Sequence, residues 1–114
     1  MTSGARTPEE LETLLEDAFL VRDGDAVTDL FEDGAVLAAG AAALEARGGE
    51  AIARLVTALW ARECTYVAAP HRVLQARDTT LVVADGAVNV VRRGSDGRWR
   101  YAIAVLNLDE EKNR

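Results

Sequence analysis

Histidine, cysteine and methionine occur once each in these 114 residues, and proline twice. The single cysteine, Cys64, has no partner for an internal disulfide, so no oxidising compartment is implied. No histidine or acid stands near it in a recognised nucleophile motif, and it reads as a small core residue. One histidine without a cysteine pair does not make a metal site, so neither metal nor cofactor is expected. No apolar run approaches the roughly 20 residues that span a bilayer. The opening Met1-Thr2-Ser3-Gly4-Ala5-Arg6 lacks the apolar segment of a secretory signal. The expected location is the cytoplasm, with no membrane partner. Lysine is also scarce: only Lys112 among 13 basic residues. That bias resembles the coding of a GC-rich bacterium and says nothing of function. Excess positive charge is absent too. Nineteen acids against 13 bases give a net charge of -6, which repels phosphate backbones. The one basic cluster, Arg92-Arg93 with Arg98 and Arg100, flanks the turn Gly94-Ser95-Asp96-Gly97. It reads as a solvated hairpin end, so no nucleic-acid partner is expected.

What is present is enough apolar residue for one core: 49% of the chain is hydrophobic, and the length suits a single domain. Residues 1–6 read as an unstructured leader, 7–108 as the domain and 109–114 as a charged tail. Thr7-Pro8-Glu9-Glu10 is a helix start with a cap, a first-turn proline and an acid placed for a capping box. Leu11, Leu14, Leu15, Ala18 and Phe19 then fall on one helical stripe. Arg22 and Gly24 suit its end. Asp25 caps a shorter second helix carrying Val27, Leu30 and Phe31, and Gly34 ends it. Ala35–Ala39 reads as a short strand. Ala41–Ala46 has helix-forming composition but strand-like length and flanking glycines, and is assigned as a strand. Gly48-Gly49 opens a third helix whose Ile52, Leu55, Val56, Leu59 and Trp60 share a face.

From His71 onward the period shortens to about two. Val73, Leu81 to Val83, Val88, Val90, Val91, Trp99, Tyr101, Ile103 and Val105 are strand-forming residues. Turn signals fall at Arg77-Asp78 and Gly94 to Gly97. Pattern alone makes Asp85-Gly86 a tight hairpin turn. Helices first and strands last define an α+β domain.

The order Gly24-Asp25, Leu30-Phe31-Glu32-Asp33-Gly34-Ala35-Val36-Leu37 and Arg47-Gly48-Gly49-Glu50-Ala51-Ile52, closed by Asp96-Gly97-Arg98-Trp99-Arg100-Tyr101, resembles the nuclear transport factor two-like superfamily. Within it, the chain resembles the small SnoaL-like and ketosteroid-isomerase-like domains from about Pro8 to Asn107. The resemblance implies a cystatin-like cone: three N-terminal helices in the concave face of a strongly curved, mostly antiparallel sheet, with a pocket at the open end. It implies one long strand from about Thr79 to Arg93, bent at Asp85-Gly86, and that expectation is adopted here.

Catalysis in such proteins, where it occurs, resembles proton transfer at a carbonyl-activated carbon. The resemblance places the usual acid–base positions at about Leu15, at Ala38 or Ala39, and at Ala104, all apolar here. His71 is the remaining candidate base, at the sheet start where relatives place a cavity histidine. The expected pocket is Leu15, Phe19, Trp60, His71, Asn89 and Ala104. Asn89 stands either in the cavity or exposed on alternation alone. The last strand is apolar on both parities, so Tyr101, Ile103 and Val105 are expected to bury one face against a second copy. The leading functional expectation is a non-catalytic or weakly specialised homodimer, lacking the usual acid–base residues, that binds a small hydrophobic molecule. The alternatives are an isomerase, cyclase or dehydratase using His71, and a protein-interaction module.

Overall fold

The computed structural model describes residues 4–39 and 44–107. Its elements run α1 (Pro8–Val21), α2 (Gly24–Asp29), β1 (Phe31–Ala39), β2 (Leu44–Arg47), α3 (Gly49–Ala61), β3 (Pro70–Ala76), β4 (Thr79–Ala84), β5 (Ala87–Arg93) and β6 (Trp99–Leu106). The strands form one sheet in the order β2-β1-β6-β5-β4-β3. β1 and β6 are parallel, and every other neighbouring pair is antiparallel. This is the expected α+β arrangement with a mixed, mostly antiparallel sheet.

Local chemistry explains the helix boundaries. The Thr7 hydroxyl accepts from the Glu10 N–H at 3.0 Å. The Glu10 carboxylate reaches past the cap and accepts from the Arg6 N–H at 2.7 Å. α1 ends on Arg22 in the left-handed region, φ 56°, before Gly24 is reached. Asp23, not Asp25, caps α2 by accepting from the Ala26 N–H at 3.1 Å. α2 stops at Asp29, so Phe31 opens β1 instead of closing the helix. Gly34 lies inside that strand at φ +75°, where the pairing with β6 jumps and only glycine is comfortable.

Three further expectations change. Ala5 is buried and bridges to Trp99, whose N–H donates to the Ala5 carbonyl at 2.9 Å. The leader is therefore anchored at its end by sheet-like pairing; residues 1–3 lie outside the described residues. The strand expected over 41–46 is β2, over Leu44–Arg47; residues 41–43, like the tail at 109–114, lie outside the described residues. The long bent strand is corrected to two strands. Ala84 faces Ala87 across an antiparallel pair, so Asp85-Gly86 is a two-residue hairpin turn. Local turn chemistry prevails there, and the turn is tied to the end of β6 by the Asn107 N–H, which donates to the Gly86 carbonyl at 2.8 Å.

The inner sheet face carries two buried rows. One is Val82, Asn89, Ala104, Leu37 and Ala46; the next is Thr80, Val91, Tyr101 and Phe31. The buried faces of α1 (Leu11, Leu15, Ala18, Phe19) and α3 (Ile52, Val56, Leu59, Trp60) complete the core. On β6, Ile103 pairs with Val90 but Tyr101 pairs with Val91. One extra residue, Ala102, is therefore accommodated as a bulge, which reverses the inside–outside alternation of the strand.

Candidate functional site

Alternation predicts that Tyr101, Ile103 and Val105 share one face. The bulge corrects this for Tyr101, which is 0% exposed and packs on Phe31 with ring centroids 5.1 Å apart. Ile103 and Val105 remain outward, 44% and 45% exposed.

Inside, Tyr101 meets a residue the sequence reading passed over. Glu12 is 1% exposed and lies one helical turn before Leu15 on the buried face of α1. One of its oxygens accepts from Tyr101 Oη at 2.8 Å and from Asn89 Nδ2 at 2.9 Å. The other accepts a short hydrogen bond from Tyr66 Oη. None of these donors is a cation. Three neutral donors thus replace the water that a buried carboxylate loses. Burial first, and the Glu12 charge second, push both tyrosine hydroxyls well above the usual tyrosine range. Both hydroxyls therefore stay protonated and donating.

Different elements hold these groups. Asn89 comes from β5, Tyr101 from β6 and Tyr66 from the connection between α3 and β3. That connection is fastened to α1 where the Ala68 N–H donates to Glu16 Oε1 at 3.1 Å. Phe19 contacts Tyr66 at 6.1 Å and meets the Trp60 edge at 5.6 Å between centroids. The result is an aromatic wall beside a polar centre. The arrangement can accept hydrogen bonds at Glu12 beside the packed rings of Phe19, Trp60 and Tyr66.

Five of the six expected pocket residues, Leu15, Phe19, Trp60, Asn89 and Ala104, are buried in this core, and Asn89 sits opposite Ala104 in register. His71 is corrected. It is the extra residue of a bulge between Pro70 and Arg72, its side chain is 56% exposed, and Nε2 lies 2.6 Å from Asp85 Oδ1. The bulge turns the ring toward the hairpin turn and away from the core. Glu12 had a visible signal: it occupies the stripe Pro8, Leu11, Glu12, Leu15, Ala18, Phe19, where a charge has no surface role. Tyr66 had none, because it lies between elements.

Elsewhere a cleft of about 700 Å³ opens between α1, α2 and the start of β6. Its apolar lining includes Leu14, Phe31 and Trp99, with Asp17, Asp29, Asp33, Arg98 and Arg100 around it. None of the expected pocket residues lines it. The basic cluster is occupied by acids: Arg92 pairs with Glu32, Arg93 with Asp78, and Arg100 with Asp96 at 2.8 Å. Among the described residues no helix is long and apolar enough to cross a membrane.

No family model matches the sequence, and no curated protein matches it. Solved structures do. A ketosteroid isomerase-like protein from Erwinia carotovora atroseptica superposes with a TM-score of 0.73 at 19% identity, over 88% of this chain and 92% of that one. An NTF2-like protein with a cystatin-like fold from Novosphingobium aromaticivorans gives 0.67 at 21%, over 91% and 80%. ActVI-ORFA from Streptomyces coelicolor gives 0.67 at 16%, over 88% and 92%. The fold is therefore the cystatin-like fold.

Proposed function

We propose that this domain, nuclear transport factor two-like in fold, binds a small, mainly apolar molecule between helices and sheet, with the Glu12 centre anchoring the molecule's polar end. The observation that carries this reading is the buried Glu12 carboxylate with only neutral hydrogen-bond donors among the described residues. A core needs no such group for stability: a well-packed apolar side chain there avoids the desolvation of a charge altogether. Tyr66 stands in residues 65–69, which are neither helix nor strand. The test is thermal melting with a panel of neutral aromatic and polycyclic ligands, since a ligand of the native state raises the midpoint. Shifts abolished by Glu12→Gln support the reading; no shift across the panel refutes it.

The domain is further proposed to act as a homodimer through its outer sheet face. Register places Leu74, Leu81, Val90, Ile103 and Val36 in one outer row, and Val83, Val88, Val105 and Ala38 in the next. Val88, Ile103 and Val105 are each close to half exposed. A continuous apolar face of this kind suits an isologous contact. Light scattering at micromolar concentration should give twice the 12.3 kDa chain mass; a single monomer peak overturns it.

A second reading places proton transfer at the same centre. Glu12 beside two protonated tyrosines has the composition of a general base with hydroxyl donors. Turnover of an activated ketone, lost in Glu12→Gln and kept in His71→Ala, would favour it. The exposed, Asp85-bound imidazole gives the His71 mechanism no support.

A further inference from the structure

The cleft between α1, α2 and the start of β6 has a volume of about 700 Å³, within the range of sites that take small organic molecules. No side chain of the Glu12 centre lines it, and a ligand here is independent of the one proposed above. Leu14, Phe31 and Trp99 give the cleft apolar walls, and Val21, 70% exposed, adds apolar surface open to solvent. The wall at β6 is closely fixed. The Trp99 N–H donates to the Ala5 carbonyl at 2.9 Å. The Arg98 stem packs so tightly on Gly4 that a Cβ there would lie 2.7 Å from Arg98 Cδ.

The charges of the cleft are unequal. Its two bases, Arg98 and Arg100, are already engaged by Asp96. The Asp96 carboxylate accepts from Arg100 Nη2 at 2.8 Å and from Arg100 Nη1 at 3.2 Å. It also accepts from the Arg98 N–H at 3.1 Å, with Arg98 Nε 4.0 Å away. Asp17, Asp29 and Asp33 line the same cleft, and their carboxylates form no hydrogen bond or ion pair among the described residues. The Asp96 hydrogen bond holds Arg100 above its usual pKa against the effect of burial, and the charges of Asp96, Asp33 and Asp29 add to this. The field in the cleft favours positive charge. Asp29 is the last residue of α2, which has no basic residue in its last turn. A helix C-terminus disfavours an acid, so local helix stability does not account for this one.

Among the described residues no three His, Cys, Asp or Glu side chains group to hold a metal ion. The three carboxylates therefore share a cleft without converging on one metal-sized point. We infer that this cleft binds an organic cation, an ammonium group on an aromatic-sized apolar body. The body covers Leu14, Val21 and Phe31 and leaves water. The ammonium donates to the Asp29 or Asp33 carboxylate inside the field of all three acids. A neutral analogue keeps only the apolar contribution. A carboxylate meets like charge, because the arginines that could receive it are held by Asp96.

Three probes matched around one ring system test this at pH 7 and low salt: 2-(aminomethyl)naphthalene as its ammonium ion, 2-naphthalenemethanol and 2-naphthoate. The chain has two tryptophans, Trp60 and Trp99, so 15N-labelled protein gives two indole signals, assigned with Trp60→Phe. The ammonium probe should move the Trp99 signal saturably, leave that of Trp60 in place and bind about tenfold or more tightly than the alcohol. Its affinity should fall as salt is raised while that of the alcohol holds. Asp29→Asn and Asp33→Asn should each weaken the ammonium probe about threefold or more and leave the alcohol unchanged. Asp29→Asn should melt no lower than the wild type, since it removes an acid from a helix C-terminus, so loss of fold cannot mimic the effect. Alcohol or naphthoate binding as tightly as the ammonium probe overturns the inference, as does full affinity for that probe in both variants, or no binding of it at all. Movement of the Trp60 signal in place of Trp99 also overturns it, by placing the probe at the Glu12 core and favouring the separate binding reading there.

Discussion

Replacing Tyr101 with phenylalanine tests the polar centre at one atom. The ring stays packed on Phe31, and only the hydroxyl that donates to Glu12 at 2.8 Å is lost. A hydrogen bond to a charged group contributes about 1.5–3 kcal/mol. Asn89 still donates to the same oxygen, which places the expected loss near the middle of that range, about 2 kcal/mol. For a domain of about 100 residues each kcal/mol moves the melting point by about 4–8 °C, so Tyr101→Phe should melt about 8–16 °C lower. The melts are run at one protein concentration, because any self-association couples Tm to concentration. Urea unfolding should show the same loss with an unchanged slope. Tyr66→Phe removes the Tyr66 hydroxyl that donates to the other Glu12 oxygen and should cost a similar amount. The double variant should fall short of or exceed the sum by about 0.5 kcal/mol or more, since both hydroxyls serve one carboxylate. A Tyr101→Phe drop below about 2 °C, or strict additivity of the pair, refutes the description of a shared buried acceptor.

Two other outcomes follow from surface geometry. His71→Ala should change stability by no more than about 0.5 kcal/mol, because its side chain is more than half exposed and paired with exposed Asp85; a larger loss in urea would place the ring in the core. Asp96 is held down to about 2, first by hydrogen bonds from Arg100 and then by the Arg98 N–H, against an ordinary 3.8. A carboxyl lowered on folding contributes fully above its unfolded value and loses that contribution as pH falls through the folded one. An NMR titration of Asp96 should therefore turn over near pH 2, and Arg100→Gln should return it toward 3.8; a wild-type midpoint at the ordinary value would contradict the pairing.

Much of the fold was legible because each signal was local. The Thr7 cap, the stripe from Leu11 to Phe19, the glycines before α3 and the turns at Arg77-Asp78 and Gly94 to Gly97 all act over a few residues. One error arose where a long-range expectation displaced such a signal. Asp85-Gly86 reads as a hairpin turn on its own chemistry, and it is one. The inner residues Leu15, Phe19, Trp60, Asn89 and Ala104 were reachable from helical and strand periodicity. Tyr101 was misplaced because periodicity assumes an unbroken pleat, and nothing in Tyr101-Ala102-Ile103 announces the bulge. Glu12 was legible as a charge on an apolar stripe. Its partners were not, since Tyr66, Asn89 and Tyr101 lie 54, 77 and 89 residues away and converge only through the sheet.

The extra residue at Ala102 has a consequence for how this strand can change over evolutionary time. Substitution at any position alters one side chain. Loss of a single residue here would exchange the environments of everything on one side of it, sending a core tyrosine to solvent or a surface isoleucine to the core. The two halves of β6 are thus separate phases of one strand. A relative aligned without a gap across them, however similar its letters, would have its inside compared with this chain's outside.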